Sequence, residues 1–215
     1  MTSFYVTALM DPNQIRQGQW SKEPAQQLYL DRLVEREKAG DPPIQWDTTK
    51  PPPGSLLYPS IPQLRQWWTD FKKEGYNAIS HDLETAGQFI ICDGLTPLNL
   101  DTGKVGPSLC LRFRGHGGVR WWNSFTKHTE AANWLGKVLA DPEVSFVGHN
   151  VVGFDIPILL EHGFEINGPI CDTMVLMSRA YPEMRKGLGY CATLFCGAPA
   201  WKLAIKVEDD APDKS

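Results

Sequence analysis

Long apolar runs are missing from this chain. None approaches the roughly 20 residues that span a bilayer, so no membrane-crossing helix and no membrane partner are expected. The opening residues Met1-Thr2-Ser3-Phe4-Tyr5 lack a basic segment followed by an apolar stretch and a small-residue cleavage site, so no secretory signal is expected. Cysteine is sparse. Cys92, Cys110, Cys171, Cys191 and Cys196 are odd in number and scattered, and their spacing fits neither a disulfide framework nor a zinc site. Reduced core thiols in an intracellular, cytoplasmic protein are the expectation. An excess of positive charge is missing too: the net charge of −4 argues against a protein that coats nucleic acid by electrostatics alone. It leaves room for a nuclease, because carboxylates that hold metal ions add to the negative count and bound cations reverse the local sign. No internal repeat or low-complexity tract is present.

What remains is ordinary globular material, with 42% apolar and 21% charged residues in a chain of 215. That length fits one domain with an extension, and can bury a sizeable core. Residues 1–60 read as the extension. A helix is expected over Ala25–Lys38, and the prolines at 42, 43, 51, 52 and 53 mark residues 41–60 as a surface linker. From residue 61 the periodicity sharpens. Leu64, Trp67, Trp68 and Phe71 give one apolar face to a helix from about Pro62 to Glu74, closed by Gly75. Strands are expected over Asn77–Glu84, Gln88–Cys92, Ser108–Phe113 and, after a glycine turn, Val119–Trp122. Ala131, Trp134, Leu135, Val138 and Leu139 recur at helical spacing, and Asp141-Pro142 ends that helix. Val144–Val147 reads as a buried strand, followed by a helix ending near Gly163 and by helical segments at Thr173–Ala180 and Gly187–Phe195. Strands, a helix, a strand, then helices define an α/β protein with a mixed sheet flanked by helices.

Two acidic patterns stand out. Asp82 and Glu84 sit two apart on a strand, so their carboxylates share a face and repel unless a cation lies between them. Thr85-Ala86-Gly87 turns the chain just after them, leaving the pair at a strand end. Asp-x-Glu is also common on solvated strand edges, so this pattern is weak by itself. The second pattern is Gly148-His149-Asn150-Val151-Val152-Gly153-Phe154-Asp155, where a strand delivers Asn150 to the sheet rim and Asp155 enters the next helix. Read singly, Asp155 is an ordinary helix-start aspartate, favoured there by the dipole.

In tandem and in this order, the two patterns resemble the first two motifs of the DEDD-type 3′→5′ exonucleases, which have the RNase H-like fold. Ile170-Cys171-Asp172-Thr173-Met174 is similar to a segment that follows the second motif in polymerase proofreading domains and ribonuclease D relatives. Lys186-Gly187-Leu188-Gly189-Tyr190 and Ala200-Trp201-Lys202 resemble stretches of family A-like phage and bacterial DNA polymerases. The resemblance covers residues 61–206, leaves 207–215 as a polar tail, and implies a bacterial or phage-like setting. It implies that Asp82 bridges two Mg²⁺ or Mn²⁺ ions, that Glu84 binds one, and that Asp155 holds the second. Two such ions clamp the attacking water and the leaving oxygen of an in-line displacement. It further implies that Leu83 and Thr85 lie near the last base and its 3′-hydroxyl, and that Asn150 and Phe154 position the terminal nucleotide or support the helix that begins at Asp155. Asp172 is a candidate for supporting the site, with helix capping as its plainer role. The implied substrate is a single-stranded DNA 3′ end, with RNA as the alternative, and the product a nucleoside 5′-monophosphate.

One family feature is not found. The last carboxylate should follow a Tyr by four residues or a His by five, but Tyr181, Tyr190 and His162 are followed at those distances by Arg185, Leu194 and Asn167. The resemblance places the motif just past Ser215. Three readings stay open: a fragment of a longer polymerase-like protein, a substitute ligand from Asp209 or Asp210, or a non-catalytic nucleic-acid-binding or interaction module of the same fold. Elsewhere, His81 is expected to face away from the acidic pair, and His149 and His116 to be structural and solvated respectively. Arg112, Arg114 and Arg120 could form a basic strand face, though a merely solvated face explains them as well. Trp67, Trp68, Trp121, Trp122 and Trp201 are read mainly as packing residues.

Overall fold

A computed structural model of the chain describes residues 54–115 and 119–196. The expectations for the Ala25–Lys38 helix, for most of the linker, for His116 and Trp201, and for Asp209 and Asp210 fall outside the described residues. The chain divides into two compact units, one spanning Lys50–Leu176 and one to which Met177–Cys196 belong.

The larger unit begins with helix α1 (Ile61–Lys73). Gln63 Oε1 accepts from both the amide and the hydroxyl of Ser60, at 2.9 and 2.8 Å, and so fixes the helix start. Leu64, Trp67 and Phe71 are buried at spacings of three and four, and Gly75 ends the turn with φ +73. Strands β1 (Ala78–Ala86), β2 (Phe89–Leu98) and β3 (Leu109–Arg112) follow. Next come α2 (Phe125–Leu139), β4 (Ser145–Gly148), α3 (Asp155–Glu161), β5 (Ile170–Asp172) and α4 (Thr173–Ala180). The five strands form one sheet in the order β3-β2-β1-β4-β5. The pairs β1/β2 and β2/β3 are antiparallel, whereas β1/β4 and β4/β5 are parallel. This is the expected α/β fold, a mixed sheet flanked by helices.

Alternation decides which residues build the core. Ile79 and Leu83 of β1, Leu95 of β2, and Leu109 and Leu111 of β3 are buried together with Leu64, Trp67 and Phe71 of α1 and Leu135 and Val138 of α2. Trp67 and Trp134 meet edge to face at 5.8 Å and lock the two helices. The Trp67 indole N–H, which burial would otherwise strand, donates to the Pro107 carbonyl at 2.9 Å. Within the smaller unit, α4 runs into a loop and α5 (Leu188–Cys196), and Met177 and Met184 are buried with Tyr181, Tyr190 and Cys191 packed against them.

Several expectations need correction. Val119–Trp122 is not a strand: among the described residues its pairing is one isolated bridge, Arg114 to Arg120. β2 runs on past Cys92 to Leu98, through Pro97. That proline is tolerated because β2 pairs with β3 only as far as Leu95–Leu109, so no β3 ladder bond is lost beyond it. β5 was not expected, being three residues long. The cysteines are free, but none is fully buried: four are half-buried and Cys196 is exposed.

Among the described residues, no helix is long and apolar enough to cross a membrane.

Candidate active site

Register places the first acidic pair. Asp82 opposes Gly94 and Glu84 opposes Cys92, and both carboxylates lie on the exposed face of β1 while His81 and Leu83 point into the core. The register shifts just beyond the pair, between Glu84 and Thr85, where Ile91 of β2 is the extra residue. Leu83 is 4% exposed. Alternation sends its side chain to the face opposite Asp82 and Glu84, while its backbone stays between them. Thr85 is half-buried, and Asn150 and Phe154 are exposed.

Asp155 reaches β1 from the start of α3. The pairing of β1 with β4 stops at Ser80–Val147, so amides further along that edge of β1 have no ladder partner. Asp155 Oδ1 takes the Leu83 amide at 2.9 Å. The carboxylate is thereby fixed to the backbone link between Asp82 and Glu84, and the residue is only 4% exposed.

The loop that delivers Asp155 is set by a different carboxylate. Asn150 has φ 65, in the left-handed region that asparagine tolerates better than most residues. Asp172 Oδ1 accepts the amides of Asn150 (2.9 Å) and Met174 (2.8 Å), and its Oδ2 accepts that of Val152 (3.1 Å). One side chain thus caps α4 and clamps the loop. Burial works against the Asp172 charge, yet the amides of Val152, Asn150, Met174 and Val175 outweigh it and hold the carboxyl below its usual range. His149 Nδ1 lies 2.9 Å from Thr173 Oγ1, and that hydroxyl donates to the Gly148 carbonyl at 3.0 Å. His149 is built into the loop's support.

Beneath the acidic face lies a feature that motif reading missed. Asp93 of β2, directly opposite Leu83, is fully buried, and its Oδ1 lies 2.8 Å from His81 Nε2. His81 Nδ1 lies 3.6 Å from Asp155 Oδ1. Both approaches are charge contacts off the line of a good hydrogen bond, since none of these ring nitrogens or Asp93 oxygens has an aligned partner. Burial pushes the His81 imidazole down, but the charge of Asp93 and the proximity of Asp155 outweigh it and raise it to about 9. Burial pushes the Asp93 carboxyl up, and His81 only partly opposes this. Asp155 is therefore held from two sides, by a backbone amide and by a buried cation. The available signal was a charged residue in the apolar run Ile90-Ile91-Cys92-Asp93.

The donor set of Asp82, Glu84 and Asp155 is all oxygen, which suits a hard divalent cation. Its geometry fits only in part. Two carboxylates share the exposed face and the third is anchored between them, but among the described residues no group of three or more His, Cys, Asp or Glu side chains is arranged to hold a metal ion.

No family model matches the chain, and no curated protein matches it. Among solved structures it is similar to Escherichia coli RNase D, an exoribonuclease involved in structured RNA processing, at 14% identity and a TM-score of 0.45, covering 67% of this chain and 34% of that one. It is also similar to the EXD2 exonuclease domain soaked in Mn and GMP (18% identity, TM-score 0.40, 68% of this chain and 71% of that one). A third similarity is to Brucella melitensis NrnC (17% identity, TM-score 0.39, 60% of this chain and 57% of that one). The chain spans about a third of the RNase D chain it matches.

Proposed function

We propose that residues 61–206 form a metal-dependent 3′→5′ exonuclease domain acting on single-stranded nucleic acid, DNA before RNA, of the kind attached to a polymerase. The observation that supports this most is the bond from the Leu83 amide to Asp155. It joins the two acidic patterns, distant in sequence, at one strand end. In this reading Asp82 and Glu84 present oxygen donors from the exposed face and Asp155 contributes its remaining oxygen from below. Mg²⁺ or Mn²⁺ held there would supply Lewis-acid polarisation of the scissile phosphate and a more acidic water. The chain's own share is to hold three negative charges close together. Asp172 contributes by fixing the loop, and exposed Asn150 and Phe154 by positioning the terminal nucleotide or supporting the helix that carries Asp155.

A 3′-labelled single strand incubated with the full chain and Mn²⁺ tests this reading. Release of nucleoside 5′-monophosphate that disappears in Asp82→Ala and Glu84→Ala is expected. Internal cleavage, or release that ignores both substitutions, would count against it. One observation favours a second reading, a non-catalytic nucleic-acid-binding module of the same fold: no three-residue metal group is formed among the described residues. Calorimetric titration with Mn²⁺ separates the two, because only the first requires carboxylate-dependent heat.

A further inference from the structure

The exposed sheet face that carries Asp82 and Glu84 does not stop at β1. Glu84 opposes Cys92, and Cys92 opposes Arg112, so Arg112 stands on that face two strands away. At a strand spacing of ~4.8 Å this is roughly 10 Å from Glu84. The Arg112 guanidinium lies 5.2 Å from the ring centroids of both Tyr58 and Trp121. Those two rings stack on each other at 5.3 Å with 24° between their planes. Arg114 sits 4.0 Å over the ring of Phe89.

Simple packing does not account for this arrangement. The stacked rings stay open to solvent, with Tyr58 59%, Phe89 44% and Trp121 38% exposed. Arg114 and Arg120 face each other across an isolated antiparallel bridge, which sets two cationic side chains side by side. No ion pair joins Arg112 or Arg120 to an acid among the described residues. After burial itself, Arg120 and Arg114 are what hold the His128 imidazole below its usual range, a mark of local positive potential. Planar rings interleaved with guanidinium groups are the chemistry that binds successive bases and phosphates of an unpaired strand without reading sequence.

We infer that Tyr58, Phe89, Arg112, Arg114 and Trp121 form a binding rack for single-stranded nucleic acid, which leads a strand across the sheet face toward Asp82 and Glu84. The choice of ligand rests on the function proposed above; the rack itself rests on the register and the ring contacts.

Fluorescence anisotropy with labelled single-stranded DNA and RNA oligonucleotides, using the full chain in EDTA, tests the rack without metal or cleavage. Arg112→Ala and Trp121→Ala are each expected to weaken binding about ten-fold. Arg112→Ala should also reduce the salt dependence by about one ion. Trp121→Phe, which keeps an aromatic face, should retain most of the affinity and so separates stacking from misfolding. Unchanged affinity in both alanine variants would overturn the inference. So would a wild-type chain that binds neither oligonucleotide, or one from which an acidic peptide displaces the strand with equal potency, since the patch would then be a protein-docking surface. Weakened binding in a chain that releases no nucleotides would sink the nuclease reading and leave the rack standing; nucleotide release with an indifferent rack would do the reverse.

Discussion

Asp155 Oδ1 accepts the Leu83 amide at 2.9 Å, a bond between residues 72 positions apart. Its structural and chemical parts can be separated. Asp155→Asn keeps an oxygen for that amide but loses the charge, whereas Asp155→Ala loses both. Urea unfolding should show Asp155→Asn within ~1 kcal/mol of the parent and Asp155→Ala less stable by ~1–3 kcal/mol, the cost of a stranded buried donor. Mononucleotide release should fall by about two orders of magnitude in both. Equal stability of the two variants would show that the amide bond contributes nothing.

His81 and Asp93 should make the fold sensitive to alkali. With the imidazole raised to about 9 from an ordinary 6.5, the folded chain holds this proton more tightly than the unfolded chain does. The stabilisation is complete below 6.5 and is lost as pH rises through about 9. The raised Asp93 carboxyl adds to the trend in the same direction. Unfolding free energy measured across that range should decline with pH in the parent and flatten in His81→Gln. Removing Asp93 alone should cost ~3–5 kcal/mol, because it strands a buried cation.

Asp172 should set the acid limit. Its carboxyl is depressed below 3.8 by the backbone amides around it, against the pull of burial. Its contribution is therefore present above 3.8 and disappears as pH falls through the lower folded value. Asp172→Ala should lose ~2–4 kcal/mol at neutral pH, given several amides left without their charged acceptor. The variant should also show a shallower acid branch in a thermal melt series.

Cys110 should be the chain's reactive thiol. The Cys92 thiol beside it, helped by Arg112 and opposed by burial, brings Cys110 down to about 7, while Cys92 is itself pushed up. Alkylation by iodoacetamide, followed by peptide mass spectrometry, should titrate at Cys110 with a midpoint near that value. In Cys92→Ala the midpoint should move toward the ordinary thiol value of 9.0. Faster labelling at Cys92 than at Cys110 would contradict the assignment.

Periodicity made much of the fold legible. Strong apolar repeats gave α1 nearly to the residue and the buried face and end of α2 but not its start, and Thr173–Ala180 was expected as it stands. β5 escaped because three residues carry no readable alternation, and Val119–Trp122 misled because alternation cannot show whether a partner edge exists. The site was legible to the same depth. The shared face of Asp82 and Glu84 follows from strand geometry alone. So does the inward turn of the Leu83 side chain. The pairing of His81 with Asp93 depends on the register between β1 and β2, which no local pattern encodes. The arginine–aromatic contacts needed Tyr58 and Trp121 to be brought together across sixty-odd residues of chain.

The double use of Asp172 has a consequence for the order in which this region assembles. A carboxylate that caps α4 and holds the Asn150 and Val152 amides cannot do one job while the other is undone. The Gly148–Asp155 turn and the first turn of α4 should open together as one cooperative segment, so the amides of Asn150, Val152 and Met174 should exchange with deuterium at a common rate.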